Sequence, residues 1–329
     1  MNGGIGSFAG GVVEVTAATI PIRDSVTTVR MFSAGMGMSY PGHARAVEDG
    51  RGSAKVERSA INLAEENMGF EETQKGNPHK LTINQHVFPK KSIDRFSNEK
   101  GLVQLFRKAS SKVIEATSSN SLFCAKRVWD QSTEAGIGKD IEDRFQSLAE
   151  SILARASSAI GHFEKVVVED FFSLWRARQK FRAEGLDDFK LEGIGGDSLT
   201  KDEQEILERK HVIFCRDGVM PGRFAAGVHV FGYMNTFRQD NQHMQWGIVR
   251  AGEGEFIVPD CFQDMMIVPI SPKLMIVADQ PNSTLTRSEV AVINQTAIDR
   301  STDYYFARSL SECPVYRDSP PRLHRIFAN

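Results

Sequence analysis

Hydrophobic positions along this chain are sparse and unpatterned over 1–70, then fall into regular spacings from Leu81 onward. The stretch 81–96 (LTINQHVFPKKSIDRF) places His86 just ahead of the Phe88-Pro89 step, and Ile93 and Phe96 follow at helical spacing. The run 101–107 (GLVQLFR) alternates as a strand, and 112–116 (KVIEA) is predicted to pair with it across a turn at 108–111. Residues 121–129 continue as a mixed segment carrying Phe123 and Trp129. Two long helical patterns follow. Ile141, Phe145, Leu148, Ile152, Ala156 and Ala159 recur at helical spacing from about residue 139 to 160, where Gly161 supplies a stop. Val167, Phe171, Leu174, Trp175 and Phe181 share one face of a second helix over about 164–182.

Residues 183–198 read as a linker, and 200–203 (TKDE) as a capping box that opens a short helix ending near Lys210. The pattern then turns to short apolar runs: 211–215, 227–234, 245–250, 255–258, 265–269 and 274–278. Gly, Asp and Pro punctuate them, and 251–254 (AGEG) is predicted as a hairpin turn. A last helix is expected over 288–307, with Val290, Ile293, Ala297 and Ile298 inward, and an extended tail from Cys313. Helices followed by strands predict an α+β fold: a long helical hairpin packed with a mainly antiparallel sheet. The expected organisation is a loosely attached segment over 1–70, one α+β domain over 71–312 and a tail over 313–329.

The segment 1–70 is rich in Gly, Ser, Ala and Thr, with a candidate strand at 12–15 and a weak helix at 53–66. So little apolar area does not offset the entropy of ordering it. Met68 reads as the true start, which would make the stretch 1–67 a mis-assigned upstream extension.

At 329 residues, 41% hydrophobic and 25% charged, the composition is that of a globular protein. A net charge of −2 gives no global basic excess to attract a polyanion. The cysteines Cys124, Cys215, Cys261 and Cys313 lie far apart and form no CxxC pair, so a reducing compartment with buried thiols is expected. No run approaches the ~18 apolar residues that span a bilayer, no signal-peptide pattern opens the chain, and the cytoplasm is the expected location.

Among candidate site residues Arg178 says most. At about 100° per residue it falls within the stripe of Val167, Phe171, Leu174 and Phe181, with Arg182 close by. An unpaired guanidinium there would cost several kcal/mol, so an acid or a bound anion must meet it. It is either a site arginine gripping a carboxylate or phosphate, or a structural ion pair or snorkelling stem. Glu142, on the shoulder of the first helical stripe, could reach it. His86 could move protons near neutral pH, or serve as a capping histidine. It has no second ligand at i+3 or i+4, so metal-site spacing is absent. Asp260, after a strand that Pro259 ends, is a further partner for Arg178 or else a turn aspartate capping its own backbone. The Gly-rich 193–197 (GIGGD) lacks the lysine and Ser/Thr of a phosphate loop and reads as linker. Arg176, Arg178, Lys180 and Arg182 are split between helix faces and make no continuous nucleic-acid stripe.

These motifs, in their order, resemble domain-of-unknown-function family forty-two thirty-eight, a large and mainly bacterial family. The resemblance rests on 77–89 (NPHKLTINQHVFP) with Phe96, 101–106 (GLVQLF), Ile141-Glu142, 175–178 (WRAR), 256–260 (FIVPD), 267–272 (IVPISP) and Ile293-Asn294. It covers about residues 79–310. Where the family has Ser-Asp before its late proline, this chain has Pro259-Asp260 and no proline at 262. The resemblance supports the residue list, adding Asn294, and supplies no mechanism and no cofactor.

The first functional expectation is a bacterial hydrolase- or nuclease-type effector with an anion-binding pocket. In it His86, Glu142 and Asp260 would be catalytic, and Arg178 and Asn294 would bind a small anionic ligand. The alternative is a non-catalytic binding or regulatory module, an accessory of a mobile element or anti-phage system, in which the same residues form a structural polar network.

Overall fold

A computed structural model describes residues 70–155, 158–195, 198–262 and 265–316. The expectations for 12–15, 53–66 and Met68, and most of the C-terminal tail, lie outside the described residues.

The first elements are β1 (Asn84–His86), α1 (Lys90–Asp94), β2 (Val103–Arg107), β3 (Lys112–Ala116) and β4 (Cys124–Lys126). A π-helical turn at Thr133–Gly138 leads into α2 (Lys139–Leu153), which is followed by α3 (His162–Glu184). Then come β5 (Phe189–Lys190), α4 (Lys201–Arg209), β6 (Val219–Met220), α5 (Ala225–Asp240), β7 (Trp246–Ala251) and β8 (Val258–Pro259). The last are β9 (Ile267–Ser271), β10 (Leu274–Ala278), β11 (Ser283–Leu285), α6 (Arg287–Arg300) and β12 (Tyr304–Ala307).

The strands form two four-stranded sheets, ordered β11-β7-β10-β9 and β3-β2-β12-β8, and two small ribbons, β1-β4 and β5-β6. Among the described strands every pairing is antiparallel except β11 with β7. The fold is therefore α+β. β2 and β3 pair across the 108–111 turn as expected, with Leu105 opposite Ile114. The helix at 201–209 starts at the expected cap, where Thr200 Oγ1 accepts from Glu203 N and Glu203 reaches back to Thr200 N.

α2 and α3 pack through stacked Phe145 and Phe171, their ring centres 3.6 Å apart. Phe88 sits 4.6 Å from Trp175 and 6.1 Å from Phe171, which joins the segment after β1 to the inner face of α3. On the sheet side Phe306 of β12 meets Phe88, Phe96 and Phe123. Three parts of the chain distant in sequence thus share one aromatic core.

Several elements differ from the sequence expectation. The run 227–234 is not a strand but part of α5. Over eight residues its apolar positions mimic alternation. Over the whole helix the buried set is Ala225, Ala226, Val230, Met234 and Phe237, and the last four keep helical spacing, while Val228 and Phe231 face outward. Residues 211–215 form no strand. The 251–254 stretch is no hairpin, because β7 pairs with β10 and β11 while β8 joins the other sheet. The last helix stops at Arg300, and the remaining residues supply β12, a central strand. Gly161 is the N-cap of α3, its N–H donating to Glu164, and not the stop of the preceding helix, which ends at Leu153. No helix among the described residues is long and apolar enough to cross a membrane.

The described N-terminal segment is held by charge. Glu71 accepts from Lys201 at 2.6 Å and from Arg216 at 2.9 Å, and also from Arg223. Glu208, fully buried, lies between Arg127 at 2.6 Å and Arg223 at 2.9 Å. Burial alone would raise the Glu71 pKa; Arg223, Lys201 and Arg216 outweigh it and hold the carboxyl at about 2. A carboxyl so depressed stabilises the fold above its unfolded value of 4.5, and that contribution is lost as pH falls from there toward 2. Allowing for partial exposure, it is worth roughly 2 kcal/mol. Urea unfolding of wild type and Glu71→Gln at pH 7 and pH 3 checks this. The stability gap between the two proteins should shrink by more than half at the lower pH.

A candidate site around Arg178

Arg178 is carried on α3 between Leu174 and Phe181, on the face that enters the core, and is only 1% exposed. Its charge is met within the protein. Nη1 donates to Glu142 Oε1, and Nη2 donates to Glu134 Oε2 at 3.3 Å. The guanidinium also lies over the Trp129 ring, 5.3 Å from its centre, and the Trp129 indole N–H donates to the same Glu134 oxygen at 2.6 Å. Trp129 is in turn fixed by Gln85, whose side chain donates to its carbonyl at 2.7 Å and accepts from its amide at 3.2 Å.

The π-helical turn explains how two acids reach one guanidinium. Glu134 and Glu142 are eight residues apart. Two α-helical turns take about 7.2 residues. A π turn takes up roughly one residue more, which brings the pair onto one face. Gly138 ends that turn because nothing larger fits. A Cβ there would stand 2.5 Å from the Thr133 carbonyl oxygen and 2.7 Å from Arg178 Nη2.

Two carboxylates against one guanidinium leave surplus negative charge. Burial would weaken the Arg178 cation, but Glu142 and Glu134 overcome it and raise its pKa above the arginine norm. The Glu142 carboxyl is pushed above the ordinary glutamate range, first by burial. Arg178 opposes that without cancelling it, Glu134 adds to it, and His86 bears on it from nearby as a weaker opposing charge. The cluster therefore holds its cation firmly and makes Glu142 the readier place for a proton. Glu142 retains a quarter of its side-chain exposure.

His86, Glu142 and Arg178 are thus brought to one region. The His86 imidazole Nε2 lies 3.0 Å from the Ser118 carbonyl, an oxygen that can only accept, so this nitrogen carries the proton. Asp260 and Asn294 stand apart; among the described residues no hydrogen bond or ion pair joins either to Arg178. Asp260 accepts from the backbone amides of Cys261 at 2.9 Å, Thr302 at 3.0 Å and Asp303 at 2.6 Å, which caps the turn into β12. Burial pushes its carboxyl upward against those donors. Asn294 accepts from Ile257 N at 2.8 Å and donates to the carbonyls of Glu255 and Pro314 at 2.8 and 2.9 Å. Both side chains are spent on backbone.

Glu134, Trp129, Gly138 and Gln85 were not among the sequence candidates. The available signal was the demand of Arg178 itself, together with an acid two turns ahead of Glu142 in a glycine-containing stretch. Among the described residues no group of three or more His, Cys, Asp or Glu could hold a metal ion. None of the four cysteines is joined in a disulfide among the described residues, and burial raises Cys124 to about 11 and Cys313 to about 12. Such thiols are poor nucleophiles near neutrality.

The glycines of the π turn give a paired test. Gly138→Ala should destabilise the protein by about 2 kcal/mol or more in urea unfolding. Gly136→Ala, whose Cβ would meet nothing closer than Ser132 Oγ at 3.8 Å, should stay within about 1 kcal/mol of wild type. Comparison with known proteins gives no matching family model, no matching curated protein and no matching solved structure.

Proposed function

We propose that this chain is a non-catalytic binding module whose buried polar residues serve the fold. The observation that carries this reading is the burial of Arg178 with both terminal nitrogens taken by Glu142 and Glu134, which leaves neither of them to grip a substrate. The engagement of Asp260 and Asn294 with backbone supports it, since neither has the freedom that proton transfer or ligand exchange requires.

Removing one partner from a buried charge cluster leaves the others uncompensated, at a cost of about 3–5 kcal/mol. Arg178→Met should therefore lose stability on that scale, and adding Glu134→Gln and Glu142→Gln should restore about half of it. Urea unfolding decides the matter. An Arg178→Met protein as stable as wild type would mark Arg178 as a site residue held at the expense of stability, and would overturn the binding-module reading.

A second reading is favoured by one observation: Glu142 is part-exposed, its carboxyl is pushed upward, and His86 stands nearby. On that reading the protein is a hydrolase- or nuclease-type enzyme with Glu142 as the proton carrier. A screen of phosphomonoesters and phosphodiesters would then show turnover that Glu142→Gln abolishes while the protein stays folded. No turnover across the screen, together with a destabilised Arg178→Met, leaves the binding module.

A further inference from the structure

Arg155 follows the end of α2 opposite to Glu142, and Arg250 lies on β7; together they line a groove of about 550 Å³. Ile248, two positions before Arg250 on β7 and so on the same face, is a buried floor. Ser158, Asn282, Ser283 and Thr284 complete the described lining, and Thr284 stands beside Arg250 in the parallel β7–β11 register. Asn282 ties the wall together: its amide donates to the Ser158 carbonyl at 2.6 Å and its oxygen accepts from Ile248 N at 2.7 Å.

Among the described residues the lining contains two arginines and no acid. Other arginines of this fold, among them Arg127, Arg178 and Arg223, are met by carboxylates. Among the described residues neither Arg155 nor Arg250 has a carboxylate within salt-bridge distance. Thr284 shares the Arg250 face of the sheet, whereas Ser283, opposite Val249, turns its side chain to the other face.

We infer that this groove binds the phosphate groups of a small phosphorylated ligand. Two guanidinium forks, with the Thr284 hydroxyl on the face of Arg250, offer more hydrogen bonds than the two oxygens of a carboxylate can accept, and match the oxygens of one or two phosphoryl groups. The volume falls in the range of small-molecule sites, and two cations without neighbouring acids make a local positive patch even in a chain of net charge −2. The inference deepens the binding-module reading by giving it a ligand class, and rests on that reading.

Isothermal titration of the full chain with pyrophosphate at low salt tests it, with sulfate and a short single-stranded oligonucleotide as parallel titrants. Saturable pyrophosphate binding is expected, weakened at least about tenfold in Arg250→Gln and in Arg155→Gln and unchanged in Arg107→Gln, a residue outside the groove. The melting midpoints of the two groove variants should match wild type, because neither arginine supports an ion pair among the described residues. The groove proposal is overturned by an absence of saturable binding, by equal affinity in the Arg155→Gln/Arg250→Gln double variant, or by binding of the oligonucleotide alone. Those outcomes are separate from the stability of Arg178→Met, so loss of the groove proposal and loss of the module reading are distinguishable.

Discussion

The structure depends on one buried cation and the acids brought to meet it. A guanidinium among Leu174, Trp175 and Phe181 has lost its water, and the face of the Trp129 ring replaces only a small part of the lost solvation. A charge–charge contact of this length is worth about 1 kcal/mol in water and several times that at the effective dielectric of a partly wet interior. Two acids spaced two turns apart are therefore enough to hold Arg178, provided the backbone can present them together. The π turn and Gly138 supply that backbone. Geometry that would be a fault in an ordinary helix is here the condition for placing a charge in the core.

The cluster around Glu71 and Glu208 solves the inverse problem. There the acids are in the minority: Arg127 and Arg223 flank Glu208, while Arg223, Arg216 and Lys201 converge on Glu71. The consequence for the acids is opposite. Glu71 is driven well below the carboxylate range, while Glu142, raised first by burial and further by Glu134, stands above it. Burial raises both pKa values: three cations overturn it at Glu71, whereas at Glu142 the single guanidinium does not. This also explains why the segment beginning at Phe70 is docked although its apolar content is small. It is fastened by ions to α4 and to the residues around β6, with little hydrophobic area involved.

How much of this could be read from the sequence follows from the range of each interaction. The α2 and α3 patterns, the β2–β3 pairing and the Thr200 cap are local, set by spacings of a few positions, and they were legible. α5 was not, because a short window around Val228, Val230 and Met234 fits either period, and Ala226 and Phe237 resolve it only when the window is doubled. β12 was hidden for a different reason: it follows α6 after only a short turn, and its strand character comes from pairing with β2, near the start of the described chain. For the site, periodicity was enough to place Arg178 in the core and to require an acid. It could nominate Glu142 because that residue lies on a regular helix. It could not nominate Glu134, whose position depends on the extra residue of the π turn.

The fate of the polar candidates separates two kinds of residue that look alike in a sequence. Arg178, Asp260 and Asn294 are buried, and burial forces each to find partners inside the protein. For Asp260 and Asn294, and for the two terminal nitrogens of Arg178, those partners occupy the hydrogen-bonding capacity that a ligand would need. A polar residue that strongly resists substitution on physical grounds is thus often one already spent. Arg155 and Arg250 sit at a solvent-reachable wall, where water can satisfy them at little cost, so the fold makes no demand that they be paired. Periodicity places the first kind with ease and is blind to the second, because a cation at a groove carries no signature of spacing. In this protein the residues with chemistry left to offer are therefore those that the hydrophobic pattern passes over.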